Sequence, residues 1–232
     1  MQKKLEHEEV VVRVPATTAN LGPGFDSLGM ALSLWNEISM KVSEQSNVRV
    51  SGQGENELPT GEDNLMYLAA SKLMAEAKIS NVKLEITAIQ EVPIGRGLGS
   101  SACAIIGGMV AANALLGFPI DSPKILKLAS EMEGHSDNVS AALLGGCCIA
   151  VGDGEQIQAA QIPISEDLQC VVFVPETPMS TKAARSVLPS EISRYDTSFN
   201  ISRTALLIAG LALHRHEYLA WGTEDRIHQD YR

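Results

Sequence analysis

The sequence predicts an α+β fold on three observations. Residues 82–88 alternate apolar and polar side chains, which is typical of a half-buried strand. Glycines recur at positions 95, 97 and 99, which indicates a tight loop after that strand. Residues 102–116 form an apolar run of mostly small side chains that is long enough for a buried helix. The chain is therefore expected to contain a strand, a glycine-rich loop and a helix in succession, with further strands and helices on both sides.

Further strands are predicted where apolar and polar residues alternate between turn signals. Pro15 ends the first of these strands, and Asp153-Gly154 is a hairpin signal between two others. Residues 168–174 form an apolar run before Pro175, so we expect a buried strand there. The predicted strands are residues 10–14, 34–42, 48–50, 82–88, 145–151, 155–162 and 168–174.

Helix ends are predicted from the residue types that satisfy free backbone groups. Serine and aspartate side chains accept hydrogen bonds from the first turn of a helix, and glycine commonly follows its last turn. Proline is favoured at the first helical position. The predicted helices are residues 64–78 capped by Asp63, residues 102–116 capped by Ser100 or Ser101 and ended by Gly117, residues 122–133 capped by Ser122 with Pro123 after it, a short helix between Ser180 and Pro189, and residues 200–214.

The loop at residues 93–103 has the properties of a phosphate-binding loop. Gly95, Gly97 and Gly99 permit positive φ angles and let the backbone approach a ligand closely. The N-terminus of the following helix presents free N–H groups and a dipole that favour an anion. The spacing differs from both the P-loop and the dinucleotide-binding fingerprint. A tight turn between strand and helix, with no ligand, is the alternative.

The eleven residues of this loop resemble the ATP-binding motif Pro-x-x-x-Gly-Leu-Gly-Ser-Ser-Ala-Ala of the GHMP kinases. That family includes galactokinase, homoserine kinase, mevalonate kinase and phosphomevalonate kinase. Only the last position departs from the motif, with cysteine in place of alanine. The resemblance implies that the following residues bind ATP: Pro93, Ile94, Gly95, Arg96, Gly97, Leu98, Gly99, Ser100, Ser101, Ala102 and Cys103.

A second segment, residues 20–29, reads Asn-Leu-Gly-Pro-Gly-Phe-Asp-Ser-Leu-Gly. Residues 22–24 enforce a turn, so the flanking Asn20 and Asp26 either converge on a small polar ligand or cap a strand connection. The segment resembles the N-terminal signature of the homoserine kinases. The resemblance implies that Asn20 and Asp26 bind the amino-acid substrate, with the carboxylate of Asp26 facing the substrate ammonium group.

Residues 131–139 combine acidic, imidazole and amide side chains. A carboxylate beside a triphosphate is the expected protein ligand of Mg²⁺. The segment resembles the Glu-Gly-His-Pro-Asp-Asn signature of the homoserine kinases, with Ser136 in place of the proline. The resemblance implies that Glu133 binds Mg²⁺ together with the hydroxyl of Ser101, with Glu131 as the alternative carboxylate.

The same resemblance implies that His135 and Asn138 line the homoserine pocket. Thr181 and Arg185 match the Ser/Thr-Thr-Lys-x-Ala-Arg element of the family, and Arg232 ends a segment similar to Asp-x-x-His-x-x-Tyr-Arg. The implied catalytic residues are Asn138, Thr181 and Arg185. Arg185 and Arg232 would share the substrate carboxylate, which suits the planar guanidinium group. Without the resemblance, an arginine on a helix is more simply a solvated surface charge.

The resemblance extends over most of the chain and implies the two-domain GHMP kinase fold. Residues 1–162 would form the N-terminal ATP-binding domain, an α/β unit like that of ribosomal protein S5. Residues 163–232 would form part of a ferredoxin-like C-terminal domain. The family pattern continues past Arg232 to a further glycine-rich motif of the form Gly-Ala-Gly-Pro, so we expect this C-terminal domain to be incomplete.

The composition is that of an ordinary globular protein, with 232 residues of which 45% are hydrophobic and 20% charged. A net charge of −10 argues against binding of nucleic acid. The four cysteines lie in apolar runs, so we expect buried free thiols and a reducing cytoplasm. No apolar run is long enough to span a membrane. We expect a cytoplasmic homodimer that binds a small-molecule substrate and neither nucleic acid nor a membrane.

The resemblance implies phosphorylation of the side-chain hydroxyl of L-homoserine in threonine biosynthesis, with ATP and Mg²⁺. Related kinases such as mevalonate kinase use an aspartate base in the region of Asn138, and an amide cannot accept a proton in that way. We therefore expect transfer without a dedicated carboxylate base. Three alternatives are a GHMP kinase for another alcohol, an inactive binder of a nucleotide or an amino acid, and an RNA-associated protein. The acidic charge and the 4% aromatic content disfavour the last.

Overall fold

The computed structural model describes residues 6–152, 156–174 and 181–232 and has the α+β architecture that the sequence predicts. Within these ranges the strands are β1 (Glu9–Ala19), β2 (Leu28–Ser43), β3 (Asn47–Gly52), β4 (Lys83–Gln90), β5 (Cys147–Gly152) and β6 (Ile157–Ile162). The α-helices are α1 (Leu65–Glu76), α2 (Ser100–Leu115), α3 (Ser122–Glu133), α4 (Asp137–Leu144), α5 (Thr181–Ser186), α6 (Arg194–Ala212) and α7 (Leu219–Gly222). Short 3₁₀ turns span His216–Tyr218 and Gln229–Tyr231.

Strand β2 is the centre of the sheet that these strands form. It pairs antiparallel with β1 along most of its length, with β4 through residues 37–43 and with β5 through residues 28–30. At one end of the sheet β3 lies parallel to β4, and at the other β6 lies antiparallel to β5. The turn between β1 and β2 therefore lies beside β5, away from the β3–β4 end.

Helix α2 lies in the main apolar core, in contact with both the sheet and α1. A Cβ atom on Gly108 would lie 2.2 Å from the carbonyl oxygen of Met66 in α1, and one on Gly107 would lie 2.1 Å from Cδ1 of Ile38 in β2. Larger side chains would force the helix away from its neighbours. The small residues thus permit the close helix–sheet packing that the sequence predicts, and this packing fixes where the N-terminus of α2 lies.

A second apolar cluster joins α6 to the other end of the sheet. Leu207 and Leu211 of α6 pack in it with Leu28 of β2, Cys147 of β5 and Ile162 of β6. This packing holds the C-terminal part of the described chain against the turn between β1 and β2. The division into domains at residues 162 and 163 stays a prediction.

Two predicted helix caps are wrong by one residue. Asn64, not Asp63, caps α1, and Asp121, not Ser122, caps α3; each side chain accepts a hydrogen bond from a backbone N–H of the first turn. Both neighbouring candidates have side chains of the right type, so spacing alone did not separate them. Gly117 has a φ angle of +72° just after the end of α2, as a residue that follows a helix often does.

Helix α6 begins at Arg194, earlier than the predicted residue 200, because Ser193 caps it. Strands β5 and β6 pair antiparallel as expected. The hairpin signal Asp153-Gly154 itself lies outside the described residues. No helix in the described ranges is long and apolar enough to cross a membrane.

The predicted buried strand at residues 168–174 is wrong. The segment has no regular secondary structure. Leu168 packs partly against the second apolar cluster, but the apolar side chains of residues 171–174 are exposed, Phe173 to 90% and Val171 to 75%. A buried strand needs a neighbouring strand for its backbone groups and an apolar layer for its side chains. Within the described ranges no strand pairs with this segment. Cys170 lies in it and is exposed, so burial of the cysteines is confirmed only for the other three.

Candidate active site

A cavity of about 730 Å³ lies beside the glycine-rich loop and the N-terminus of α2. Its volume is within the range of small-molecule sites in proteins. The loop forms one part of its wall, and side chains from the turn after β1, from α3, α4 and α5, and from the C-terminal segment form others. The predicted site residues on its wall are Asn20, Ile94, Gly95, Gly97, Gly99, Ser100, Ser101, Glu133, His135, Asn138, Arg185 and Arg232.

The N-terminus of α2 is capped by Gly99 with no side-chain hydrogen bond, so the predicted cap at Ser100 or Ser101 is wrong. Gly95, Gly97 and Gly99 all have positive φ angles, of 66°, 73° and 67°. No atom lies within 4 Å of the place that a Cβ atom on Gly97 would occupy. Free N–H groups of the first helical turn therefore lie at a glycine-lined wall, an arrangement that suits phosphate oxygens.

Gly99 is also where three parts of the chain meet. A Cβ atom there would lie 1.9 Å from Oγ1 of Thr17 in β1. The Oγ1–H of Thr17 donates to Oδ1 of Asn138 in α4 at 2.7 Å, and its backbone N–H donates to the carbonyl oxygen of Leu98 at 3.1 Å. Sequence reasoning missed Thr17, since a threonine inside a strand gives no signal of such a role.

The two candidate acidic residues for Mg²⁺ have different surroundings. The hydroxyl of Ser101 donates to Oε1 of Glu133 at 2.5 Å, and the Glu133 side chain is only 9% exposed. Glu131 pairs instead with Lys72 at 2.8 Å, and this hydrogen bond lowers the pKa of Glu131 below its usual value. Of the two carboxylates, Glu133 lies on the cavity wall and Glu131 does not.

The donor set at Ser101 and Glu133 fits a magnesium ion that is held mainly by a nucleotide. Among the described residues there is no group of three or more histidine, cysteine, aspartate or glutamate side chains placed to hold a metal. Mg²⁺ in nucleotide sites typically takes one or two protein carboxylates and completes its shell with phosphate oxygens and water. One carboxylate and one hydroxyl beside a free helix N-terminus match that pattern.

His135 is held by the carboxylate of Asp137. Its Nδ1 lies 2.6 Å from Oδ1 of Asp137, and its Nε2 lies 3.8 Å from Oε1 of Glu133. The Asp137 side chain is 1% exposed and also accepts a hydrogen bond from the backbone N–H of Asn138 at 2.7 Å. The hydrogen bond to Asp137 raises the pKa of His135, although burial opposes the rise. Asp137 thus orients the imidazole and favours its protonated form.

At another part of the site, Asp26 and Arg185 form a two-pronged ion pair. Nη1 of Arg185 lies 2.8 Å from Oδ2 of Asp26, and Nη2 lies 2.5 Å from Oδ1. Oδ1 of Asn20 accepts a hydrogen bond from the backbone N–H of Asp26 at 2.9 Å. The guanidinium groups of Arg185 and Arg232 lie 5.3 and 5.8 Å from the ring centroid of Phe25. The turn after β1 therefore contacts both arginines that the sequence singled out.

Asp225 anchors the segment that ends in Arg232. Its buried carboxylate accepts hydrogen bonds from the backbone N–H groups of His228 and Gln229 at 2.8 and 2.7 Å and from Nδ2 of Asn200 at 2.6 Å. Burial alone would raise the pKa of Asp225, but these hydrogen bonds together lower it below its usual value. The segment is thus fixed to α6, and the ring of His228 lies next to Phe25.

Several predicted residues do not lie on the cavity wall. Leu98, Ala102 and Cys103 are buried in the core, and the thiol of Cys103 donates to the carbonyl oxygen of Pro15 at 3.0 Å. Burial raises the pKa of the Cys103 thiol to about 12, so it is not a nucleophile here. These residues support the loop from behind. Pro93, Arg96 and Asp26 also lie off the wall, and the side chain of Thr181 lies outside the described residues.

Sequence reasoning missed a further part of the cavity wall. It is formed by the connection before α1 and by the start of that helix, together with Gln90 at the end of β4. This connection carries no recognisable motif, so its sequence does not single it out. Its residues on the wall are Leu58, Pro59, Asp63, Asn64, Leu65 and Met66.

The comparisons with known proteins first define a class. Residues 64–146 match the family model of the GHMP kinases N terminal domain. The structure resembles the crystal structure of homoserine kinase from Cytophaga hutchinsonii, with a TM-score of 0.84 and 26% identity over 99% of this chain and 75% of that one. Its likeness to the phosphomevalonate kinase of Streptococcus pneumoniae, with a TM-score of 0.69 at 12% identity, shows the shared fold. The fold is that of the GHMP kinases, as predicted.

The relatives found by sequence then identify the family within the GHMP kinases. The homoserine kinase of Moorella thermoacetica is 41% identical over 96% of this chain and 75% of its own length. That of Clavibacter michiganensis is 46% identical over 96% of this chain and 72% of its own length. The chain belongs to the homoserine kinase family, and it spans about three quarters of the length of these relatives. The predicted family is confirmed.

The contact between His135 and Asp137 predicts a pH-dependent stability. The folded-state pKa of His135 is raised above its ordinary value of 6.5. The contact with Asp137 therefore stabilises the folded state fully below pH 6.5, and this stabilisation is lost as the pH rises through the folded-state pKa. An NMR titration should give a pKa above 6.5 for His135 in the wild type. In Asp137→Asn the pKa should fall below the wild-type value, because burial remains while the carboxylate is gone.

An unchanged pKa of His135 in a folded Asp137→Asn variant would contradict the contact.

Proposed function

We propose that this chain transfers the γ-phosphate of ATP to the side-chain hydroxyl of L-homoserine, forming O-phospho-L-homoserine in threonine biosynthesis. Its family consists of ATP-dependent kinases that act on an alcohol group. The observation that supports the substrate is that one cavity joins the glycine-rich loop to Arg185 and Arg232, with the carboxylate of Asp26 paired to Arg185. The cavity and the carboxylate paired to Arg185 therefore offer complementary charges to a nucleotide and a zwitterionic amino acid.

The loop and the N-terminus of α2 would hold the phosphates, since the first turn of α2 has no side-chain cap and Gly97 leaves room for close approach. Glu133 and Ser101 would hold Mg²⁺. The ion supplies neutralisation of charge on the phosphate oxygens when it is bound. The wall formed by the connection before α1 and the start of that helix, with Leu58 and Leu65 among its residues, offers apolar surface in the same cavity.

The amino acid would be held by its two charges. Asp26 would bind the ammonium group, and Arg185 and Arg232 would bind the carboxylate in the two-pronged manner that guanidinium groups favour. Asn20, His135 and Asn138 would complete the pocket, and Thr181, with Asn138 and Arg185, is proposed to act on the reacting groups. Such an arrangement accelerates phosphoryl transfer mainly by positioning and electrostatic stabilisation.

The surroundings of Asp137 support transfer without a carboxylate base. Its side chain is 1% exposed, is bonded to His135 and to the backbone of Asn138, and does not line the cavity. The amide of Asn138 accepts a hydrogen bond from Thr17 and has no proton affinity suited to a base. The hydroxyl proton would then leave to phosphate or to solvent as the bond to phosphorus forms.

The magnesium proposal predicts different effects for two glutamates on the same helix. Glu133→Gln should raise the Mg²⁺ concentration for half-maximal ATP binding by about 10- to 100-fold, because a charged oxygen ligand is lost. Glu131→Gln is the matched control and should leave it unchanged, since Glu131 pairs with Lys72 outside the cavity. Calorimetry at fixed ATP and varied Mg²⁺ measures both. Equal effects of the two changes would contradict the assignment.

The proposed activity is tested by ADP release from Mg²⁺–ATP with L-homoserine, beside threonine, mevalonate and galactose as acceptors. We expect turnover that is selective for L-homoserine. The Asp137→Asn variant should keep turnover within about tenfold of the wild type, whereas removal of a general base would cost about 10²–10⁴-fold.

A preference for mevalonate or a sugar would overturn the substrate assignment. A folded protein that binds ATP and turns over none of the four acceptors would be a nucleotide binder rather than a kinase. Complete loss of turnover in a folded Asp137→Asn variant would identify Asp137 as the base.

A further inference from the structure

The Asp26–Arg185 ion pair engages the same side-chain groups that are proposed to bind the charges of the substrate. Both carboxylate oxygens of Asp26 and both terminal nitrogens of Arg185 take part, at 2.5 and 2.8 Å. Each side chain is 36% exposed, so the pair is open to ligand rather than sealed in the core. While the pair is closed, both oxygens of Asp26 and the end face of the Arg185 guanidinium group, formed by Nη1 and Nη2, are occupied by each other. A substrate that binds both residues through these atoms must therefore replace the contact between them.

The two partners are held with different rigidity. Asp26 has a φ angle of +54°, and Oδ1 of Asn20 bonds its backbone N–H, so its position is set by the turn itself. Arg185 lies near the end of the six-residue helix α5, and its guanidinium group lies over the ring of Phe25 at 5.3 Å. The cation–π attraction acts within about 6 Å of the ring and does not fix one hydrogen-bond geometry. We therefore expect the arginine side chain, rather than Asp26, to move when the pair opens.

We propose that this ion pair occupies the place of the substrate charges and makes the site selective for zwitterions by exchange. The inference rests on the proposed function of the site. A zwitterion supplies an ammonium group to Asp26 and a carboxylate to Arg185, so every charge that loses a partner gains another. A ligand with one charge opens the same pair and leaves one partly buried partner without a counter-charge, which is costly. The carboxylate gains a second contact without such a cost from Arg232, which has no ion-pair partner among the described residues.

The proposal predicts opposite changes in affinity for a zwitterion and for a ligand with a single charge. Removing the charge of Asp26 should weaken the binding of L-homoserine but strengthen the binding of 4-hydroxybutanoate, which is homoserine without its ammonium group. Arg185 is then released, and a carboxylate binds it without breaking an ion pair. A site in which Asp26 merely adds one contact would show no such gain, because 4-hydroxybutanoate has nothing for Asp26 to bind.

The experiment is calorimetric titration of wild type and Asp26→Asn with L-homoserine and with 4-hydroxybutanoate. Asparagine is chosen because it tolerates the positive φ angle at this position. We expect Asp26→Asn to lower the affinity for L-homoserine by about 10- to 100-fold. The same variant should raise the affinity for 4-hydroxybutanoate by at least about fivefold. The matched control is Glu224→Gln, which breaks an exposed ion pair with Arg203 away from the cavity and should change neither affinity.

The reciprocal variant keeps the test decisive if Asp26→Asn is poorly folded. Arg185→Gln should lower the affinity for L-homoserine. It should raise the affinity for 3-aminopropan-1-ol, which is homoserine without its carboxylate. A folded variant that binds its single-charge ligand no more tightly than the wild type would overturn the exchange. If the wild type meanwhile turns over L-homoserine, only the exchange fails. If the wild type neither binds nor phosphorylates L-homoserine, the proposed function fails, and the exchange with it.

Discussion

The close approach of Gly99 to the hydrogen bond between Thr17 and Asn138 is the constraint on which the rest of the site depends. A Cβ atom at position 99 would lie 1.9 Å from Thr17 Oγ1, so only glycine lets β1, the loop and α4 meet. The same contact leaves the first turn of α2 without a side-chain cap, and it sets Asn138 beside the loop. The proposed phosphate site and the proposed amino-acid site are therefore positioned by one point of packing.

An acidic chain can still form a site for anionic ligands, because short-range groups decide the local potential. The net charge is −10, yet the cavity wall includes Arg185, Arg232 and the N-terminus of α2, and the pKa of the nearby His135 is raised. Exposed charges more than about 10 Å away are largely screened at physiological salt, whereas these groups act at contact distance. The pairing of Arg185 with Asp26 keeps part of this positive charge balanced until a ligand arrives.

The sequence predicts the family, the glycine-rich loop and most strands and helices, because these depend on local patterns and on contiguous motifs. It does not predict the pairs Thr17–Asn138 and Asp26–Arg185, whose members are 121 and 159 residues apart, because no local pattern encodes which distant side chains meet. The strand expected at residues 168–174 failed for a related reason. Its apolar composition predicts burial only if a neighbouring strand and an apolar layer cover it, and composition cannot supply that information.

The most direct test of this account is to measure the affinity of the Gly99→Ala variant for Mg²⁺–ATP and to compare it with the affinities of the wild type and of Gly146→Ala. Both glycines have positive φ angles, but the nearest atom to a Cβ on Gly146 is Nε2 of Gln161 at 3.9 Å, so this control adds only backbone strain of about 1–2 kcal/mol. The account predicts that Gly99→Ala loses at least about tenfold in ATP affinity while remaining folded, and that Gly146→Ala binds as the wild type does. Wild-type affinity in Gly99→Ala would contradict it.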